Sequence, residues 1–116
     1  MDLDNLKLTN DVYGHSAGDE IIKEFSKILL TEIRETDYAC RIGGDEFLLI
    51  LPTSNLKAAK NIVKRINDNI FKKNKKEEIK IKFSHGFEST RNIKNLDNLI
   101  KTADEKMYKN KKSKRY

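Results

Sequence analysis

Two apolar runs, residues 38–42 and 47–51, are separated only by Gly43-Gly44-Asp45-Glu46. Two glycines between strand-forming runs allow positive φ and a tight reversal, so the spacing predicts a β-hairpin. Pro52 and the Thr53-Ser54-Asn55 cluster then end the second strand and offer helix caps. The rest of the pattern is helical on either side. Over residues 17–35, Ile21, Phe25, Ile28 with Leu29, and Ile33 recur at three- and four-residue spacing. Over residues 55–70, Leu56, Ala59, Val63, Ile66 and Ile70 do the same. Ile79, Ile81 and Phe83 alternate with polar residues, as in a strand with one buried face. A last helix starts near Leu96 and uses Leu99, Ala103 and Met107. Residues 1–3 read as the end of a strand, and 5–13 as a turn or helix start. Helices interleaved with strands around an antiparallel hairpin give an α+β or mixed α/β domain. The 116 residues fit one domain.

Charge is unevenly spread. Residues 1–50 carry five Lys and Arg against eleven Asp and Glu, while residues 51–116 carry nineteen against seven. An acidic front and a basic back suit a metal site at one end and an anion site at the other. Lys72 to Lys76 read as a solvated loop. No run of 18 apolar residues is present, so no transmembrane helix is expected. The start Met1-Asp2-Leu3-Asp4 lacks the pattern of a signal peptide. Cys40 is the only cysteine and cannot form an internal disulfide, so a reducing, cytoplasmic setting is the default.

Two acidic pairs stand out, Asp2 with Asp4 and Asp45 with Glu46. Alternate positions on a strand face the same way, so Asp2 and Asp4 share a face. Where the hairpin pairs beside the first strand, Asp2 and Asp45 converge. Converging carboxylates suit Mg²⁺, which takes few protein ligands and fills the rest of its shell with phosphate oxygens and water.

Gly43-Gly44-Asp45-Glu46-Phe47 resembles the signature of the GGDEF family, the diguanylate cyclases. Asp2-Leu3-Asp4-Asn5-Leu6-Lys7 is similar to that family's Asp-x-Asp-x-Phe-Lys segment. Asn10-Asp11-x-Tyr13-Gly14-His15-x-x-Gly18-Asp19, Arg41, Ser84-His85-Gly86 and Ala103-Asp104-x-x-Met107-Tyr108 follow in the family's order, so the resemblance covers essentially the whole chain. It implies a palm-like fold with a central, mainly antiparallel sheet flanked by helices. It also implies a reaction that joins two GTP molecules into cyclic di-GMP and releases two pyrophosphates, with two domains facing each other as a homodimer.

The resemblance assigns residues as follows. Asp2, Asp45 and the Leu3 carbonyl hold Mg²⁺ or Mn²⁺. Asp45 and Glu46 are the catalytic acids, with Asp45 a candidate acceptor of the hydroxyl proton. Gly43 and Gly44 let the backbone approach the nucleotide. Asn10 and Asp19 read guanine, since a carboxylate accepts from N1–H and the 2-amino group, where adenine presents a different edge. Lys7, Lys111 and Arg115 take the phosphates, and His15 lies beside the base-reading loop. Lys112 and Lys114 read as a solvated tail. Arg34-x-x-Asp37, nine residues before Gly43, resembles the family's inhibitory site for its own product, with Arg65 in support.

The chain departs from the family pattern at several points. The family domain begins with a helix and most of a strand before the Asp-x-Asp segment, so an incomplete domain with exposed apolar surface is expected. A Met1 amino group beside Asp2 would repel a cation. Leu6, His85, Asn110 and Lys114 replace the family's usual Phe, Ile, Ala and Gly. An upstream sensory domain belongs to the expected parent protein, which that upstream region can anchor to a membrane. Two other readings remain: a non-catalytic module that binds GTP or cyclic di-GMP, and an RNA-binding domain prompted by charge alone. The latter lacks an aromatic strand motif, and no nucleic acid polymer is expected as a partner.

Overall fold

The computed structural model describes residues 1–91 and 95–114. The elements run β1 (Asp2–Leu3), α1 (Leu6–Tyr13), α2 (His15–Glu32), β2 (Tyr38–Arg41), β3 (Phe47–Ile50), α3 (Leu56–Asn74), β4 (Phe83–Ser84) and α4 (Leu96–Ser113).

The strands form two antiparallel pairs, β1 with β4 and β2 with β3, linked where β1 bridges to the residue before β3. Leu3 pairs with Phe83 and Asp2 with Ser84 across β1 and β4. On the other edge of β1, Asp2 bridges to Glu46. The Leu3 N–H donates to the Asp45 carbonyl and the Phe47 N–H to the Met1 carbonyl, both at 2.8 Å. Tyr38 pairs with Ile50 and Arg41 with Phe47 in the hairpin. The short β1 is therefore central, and everything on it is held from two sides.

Helix α2 covers one face. Phe25 is fully buried, with its ring 5.0 Å edge-on from Phe47 and 5.3 Å from Phe83. Leu3, Ile66, Ile70 and Ile81 complete the same core. Burying one such Phe stabilises the fold by about 1.5–3 kcal/mol. Tyr38 and Ile50, paired across the hairpin, and Ile42 beyond it stay largely exposed.

Several expected boundaries shift. Helix α2 begins at His15, because Gly14 at φ 94° ends α1 and starts α2 in one residue. It stops at Glu32, because Ile33 turns extended ahead of the Arg34–Asp37 turn. Helix α3 runs a turn further than expected, to Asn74, after an Asn55 cap that accepts from the Ala58 N–H at 2.8 Å. The expected strand through residues 79–83 joins the sheet ladder only at Phe83–Ser84. Ahead of it, the Asn74 amide takes the place of a neighbouring strand. It donates to the Ile81 carbonyl and accepts from the Ile81 N–H, each at 2.8 Å. The expected alternation survives, with Ile81 and Phe83 buried and Lys82 exposed.

The hairpin turn also differs from expectation. Neither Gly43 nor Gly44 has positive φ. The reversal is closed instead by the Ile42 N–H on the Glu46 carbonyl at 2.9 Å. Arg41 wraps the turn from outside, donating to the Gly43 carbonyl at 3.1 Å and to Gly44 at 2.8 Å. Four residues of loop leave room to reverse without left-handed backbone, so a side-chain clamp does the work assigned to glycine.

Candidate functional site

The site grows from β1. Asp2 and Asp4 are both buried. Both accept from lysines of the α4 end, so they share a side as alternation requires. Lys111 Nζ donates to Asp2 Oδ2 at 2.8 Å, and Lys114 Nζ lies 3.4 Å from Asp4 Oδ2. Asp4 Oδ1 accepts from the Ser84 hydroxyl at 2.8 Å. Lys114 also donates to the Phe83 carbonyl and sits 5.7 Å from the centre of the Phe83 ring. The expected solvated role of Lys114 is therefore corrected: three contacts tie it to Asp4 and to Phe83 of β4.

Helix α4 reaches this position because it lies directly on the chain after β4. A Cβ at Gly86 would fall 2.2 Å from the Ala103 carbonyl oxygen and 2.3 Å from the Met107 nitrogen. The Asn110 side chain adds an anchor, accepting from the His85 N–H at 3.0 Å. His85 itself stacks between Phe83 and Phe87, with ring centres 5.9 and 5.6 Å away. Burial and then the Lys114 charge hold its pKa below the usual histidine value.

Asp45 comes to the Asp2 carboxylate from the hairpin side. Burial pushes the Asp2 pKa up, the Lys111 bond pulls it down, and the Asp45 charge raises it again. Lys111, pulled mainly by its bond to Asp2, is raised. The two partners thus balance differently: desolvation outweighs attraction for the buried carboxylate, and attraction outweighs desolvation for the more exposed ammonium.

Among the described residues, two buried side-chain oxygens lack a hydrogen-bond partner: Asp2 Oδ1 and Asn10 Oδ1. Such groups cost about 1–3 kcal/mol each, a cost that a ligand group or an ordered water at the same position would remove. Asp2 Oδ1 beside Asp45 fits a hard divalent cation, which two carboxylates can hold while phosphate and water complete its shell. No group of three or more His, Cys, Asp or Glu that could hold a metal occurs among the described residues.

Asn10 stands on α1 against Gly18 of α2. A Cβ at Gly18 would fall 1.8 Å from Asn10 Oδ1, so only glycine leaves that oxygen its place. Asp19 follows Gly18 and is exposed, as are Lys7 and His15. No atom lies within 4 Å of a Cβ placed on Gly44, which leaves that side of the turn open. Glu46 is exposed beside the turn. Arg115 lies outside the described residues.

A family model described as "Diguanylate cyclase, GGDEF domain" matches residues 1–116. The chain belongs to the GGDEF family. Diguanylate cyclase DosC of Escherichia coli (strain K12) is 33% identical over 112 residues, covering 93% of this chain and 24% of that protein. The uncharacterized protein YtrP of Bacillus subtilis (strain 168) is 35% identical over 113 residues, covering 97% of this chain and 19% of that protein. This GGDEF domain therefore spans less than a quarter of the length of either relative. Diguanylate cyclase SiaD of Pseudomonas aeruginosa, solved in complex with its activator SiaC, aligns with a TM-score of 0.87 at 30% identity, over 98% of this chain and 45% of that one. The GGDEF domain of DgcB from Caulobacter crescentus, solved in complex with c-di-GMP, shares the fold, with a TM-score of 0.89 at 24% identity over 98% of this chain and 70% of that one. The α+β architecture read from the sequence is thus the family's own.

The second cluster lies at the other end of α2. Arg34 and Asp37 pair with each other: Arg34 Nη2 lies 2.8 Å from Asp37 Oδ1, and the Arg34 N–H lies 2.8 Å from Oδ2. Arg34 Nη2 also donates to the Pro52 carbonyl and the Ser54 hydroxyl. The Asp37 carboxylate is fully covered, while the Arg34 side chain is half exposed. Arg65 binds Glu32, the last residue of α2, at 2.8 Å. All three residues therefore gather around the end of α2, each arginine already holding an acid. No helix among the described residues is long and apolar enough to cross a membrane.

Proposed function

We propose that this GGDEF domain condenses two GTP molecules into cyclic di-GMP. In each half-reaction, the 3′-hydroxyl oxygen of one GTP bonds to the α-phosphorus of the other. The bond from that phosphorus to the bridging oxygen breaks, and pyrophosphate leaves. Two copies face each other as a homodimer, each holding one GTP. The observation that carries this reading is the buried Asp2 carboxylate beside Asp45, with its Oδ1 lacking a hydrogen-bond partner.

Asp2 and Asp45, with the Leu3 carbonyl, would hold Mg²⁺ or Mn²⁺. Such an ion supplies charge neutralisation and Lewis-acid polarisation at the phosphates. The chain's own groups do the rest. Asp45 or Glu46 accepts the hydroxyl proton, directly or through water. Asn10 Oδ1 and Asp19 receive the guanine edge, and the two buried or charged acceptors reject adenine, which would leave them unpaired. Lys7, Lys111 and Arg115 spread positive charge along the triphosphate. The open side of Gly44 leaves space for the nucleotide.

The Arg34 and Arg65 guanidiniums serve a product-binding site, offering donors to guanine O6 and N7. Asp37, buried beneath Arg34, fixes the direction of its fork. An upstream sensory domain in a longer parent protein controls the dimer.

Incubation with GTP and Mg²⁺, followed by mass spectrometry of the products, tests the reading. Cyclic di-GMP is expected from the domain as a dimer and none from Asp45→Ala, with circular dichroism unchanged. Product formation by Asp45→Ala would overturn the metal assignment. Tight binding of cyclic di-GMP without turnover would make the domain a receptor instead.

A further inference from the structure

The Asp2 carboxylate is already partnered by a cation of the chain itself. Lys111 Nζ holds Oδ2 at 2.8 Å, while Oδ1 stays buried and unpartnered. Lys111 and Lys114 make different kinds of contact. Lys114 is tied by Asp4, the Phe83 carbonyl and the Phe83 ring. The Lys111 ammonium instead donates to Asp2, with its side chain 36% exposed against 33% for Lys114. Lys114, just past the end of α4, thus has several partners, whereas Lys111, in its last turn, rests on Asp2.

We propose that Lys111 is an exchangeable counter-ion that occupies the Asp2 carboxylate until a triphosphate draws it away. This rests on the reading of Asp2 and Asp45 as the cation pair. An ammonium on Oδ2 repels a divalent ion approaching the same carboxylate, and only a few ångströms of low-dielectric site separate them. A triphosphate offers Lys111 denser negative charge within reach of the same helix turn. When the lysine moves, Asp2 gains a free oxygen on each side. Metal and nucleotide then enter as one positively coupled pair. Linkage makes the coupling reciprocal: the nucleotide raises metal affinity by the same factor as the metal raises nucleotide affinity. In the empty domain, Lys111 also offsets the repulsion between Asp2 and Asp45.

The experiment is Mn²⁺ binding followed by electron paramagnetic resonance, at one fixed pH for all proteins. The wild-type domain, Lys111→Met, Lys111→Gln and Asp45→Asn are compared, each with and without a non-hydrolysable GTP analogue. Folding of each variant is checked by circular dichroism. Without nucleotide, both Lys111 variants are expected to bind Mn²⁺ at least about tenfold more tightly than the wild type. The enhancement of Mn²⁺ affinity by the analogue is expected to shrink in the same variants. Equal or weaker Mn²⁺ binding by both Lys111 variants, with binding lost in Asp45→Asn, would overturn the exchange and leave the metal pair standing. No Mn²⁺ binding by any of the proteins, even with the analogue, would overturn the metal pair and the exchange together.

Discussion

Asn10 shows how a single atom's surroundings separate recognition from stability. Its oxygen is buried without a partner and lies where a Cβ on Gly18 would intrude. Gly18→Ala meets only the end of a side chain that can rotate away, so the stability cost is expected to stay below about 1 kcal/mol. The proposed guanine contact would be lost with the rotation. GTP affinity should fall about tenfold while pyrophosphate affinity holds, which parallel calorimetric titrations would reveal. Asp37 gives the opposite case, a residue whose charge supports the fold. The Arg34 guanidinium holds its pKa below the ordinary value of 3.8. A depressed carboxylate contributes stability above its unfolded pKa and loses it as pH falls through the folded value. Urea unfolding from pH 6 down to pH 2 should therefore show a loss below about pH 4 that is smaller in Asp37→Asn.

At the level of elements, the arrangement depends on two close fits that hold α4 and the segment before β4. Gly86→Ala would drive a methyl group into the backbone of α4 at Ala103 and Met107, which cannot rotate aside. A loss of about 1–3 kcal/mol is expected in thermal unfolding, with weaker phosphate binding as Lys111 moves off its line. Asn74→Ala would strip both partners from the Ile81 backbone. A cost of about 1–3 kcal/mol is expected by urea titration, without a change in nucleotide affinity. These elements were unequally legible in the sequence. The helices were readable because Ile21, Phe25 and Leu29, or Val63, Ile66 and Ile70, repeat at helical spacing on a face that is in fact buried. The hairpin was readable from its apolar runs, but for the wrong local reason, since the Ile42–Glu46 bond closes the turn and Arg41 clamps it without left-handed glycine. The extent of β4 was not readable, because alternation reports which side chains are buried and says nothing of whether a strand or an Asn74 side chain satisfies the backbone.

Across the whole molecule, the candidate site was legible as a set of residue types and illegible as a set of pairings. Asp2, Asp45 and Lys111 do come together, and the bridge between Asp2 and Glu46 brings the acid pairs close as strand pairing required. That Lys111 would rest on Asp2, and that Lys114 would be held rather than solvated, depends on where α4 lands. Nothing local to residues 108–114 encodes that landing. It follows from a glycine more than twenty residues earlier and from an acid at the start of the chain.

The same pairing has a consequence for how the domain is made. Lys111 and Asp2 are 109 residues apart, Lys114 and Asp4 are 110 apart, and Ser84 and Asp4 are 80 apart. Contacts across such separations close only after the intervening chain has collapsed, because loop closure must come first. The helices and the hairpin can form early, whereas the cluster of acids and lysines is sealed at the end. A substitution there should leave the refolding limb of a stopped-flow chevron nearly unmoved and speed unfolding instead, as for a residue absent from the folding nucleus. During synthesis, a chain whose α4 is still inside the ribosome would have most of its core and no joined cluster of acids and lysines.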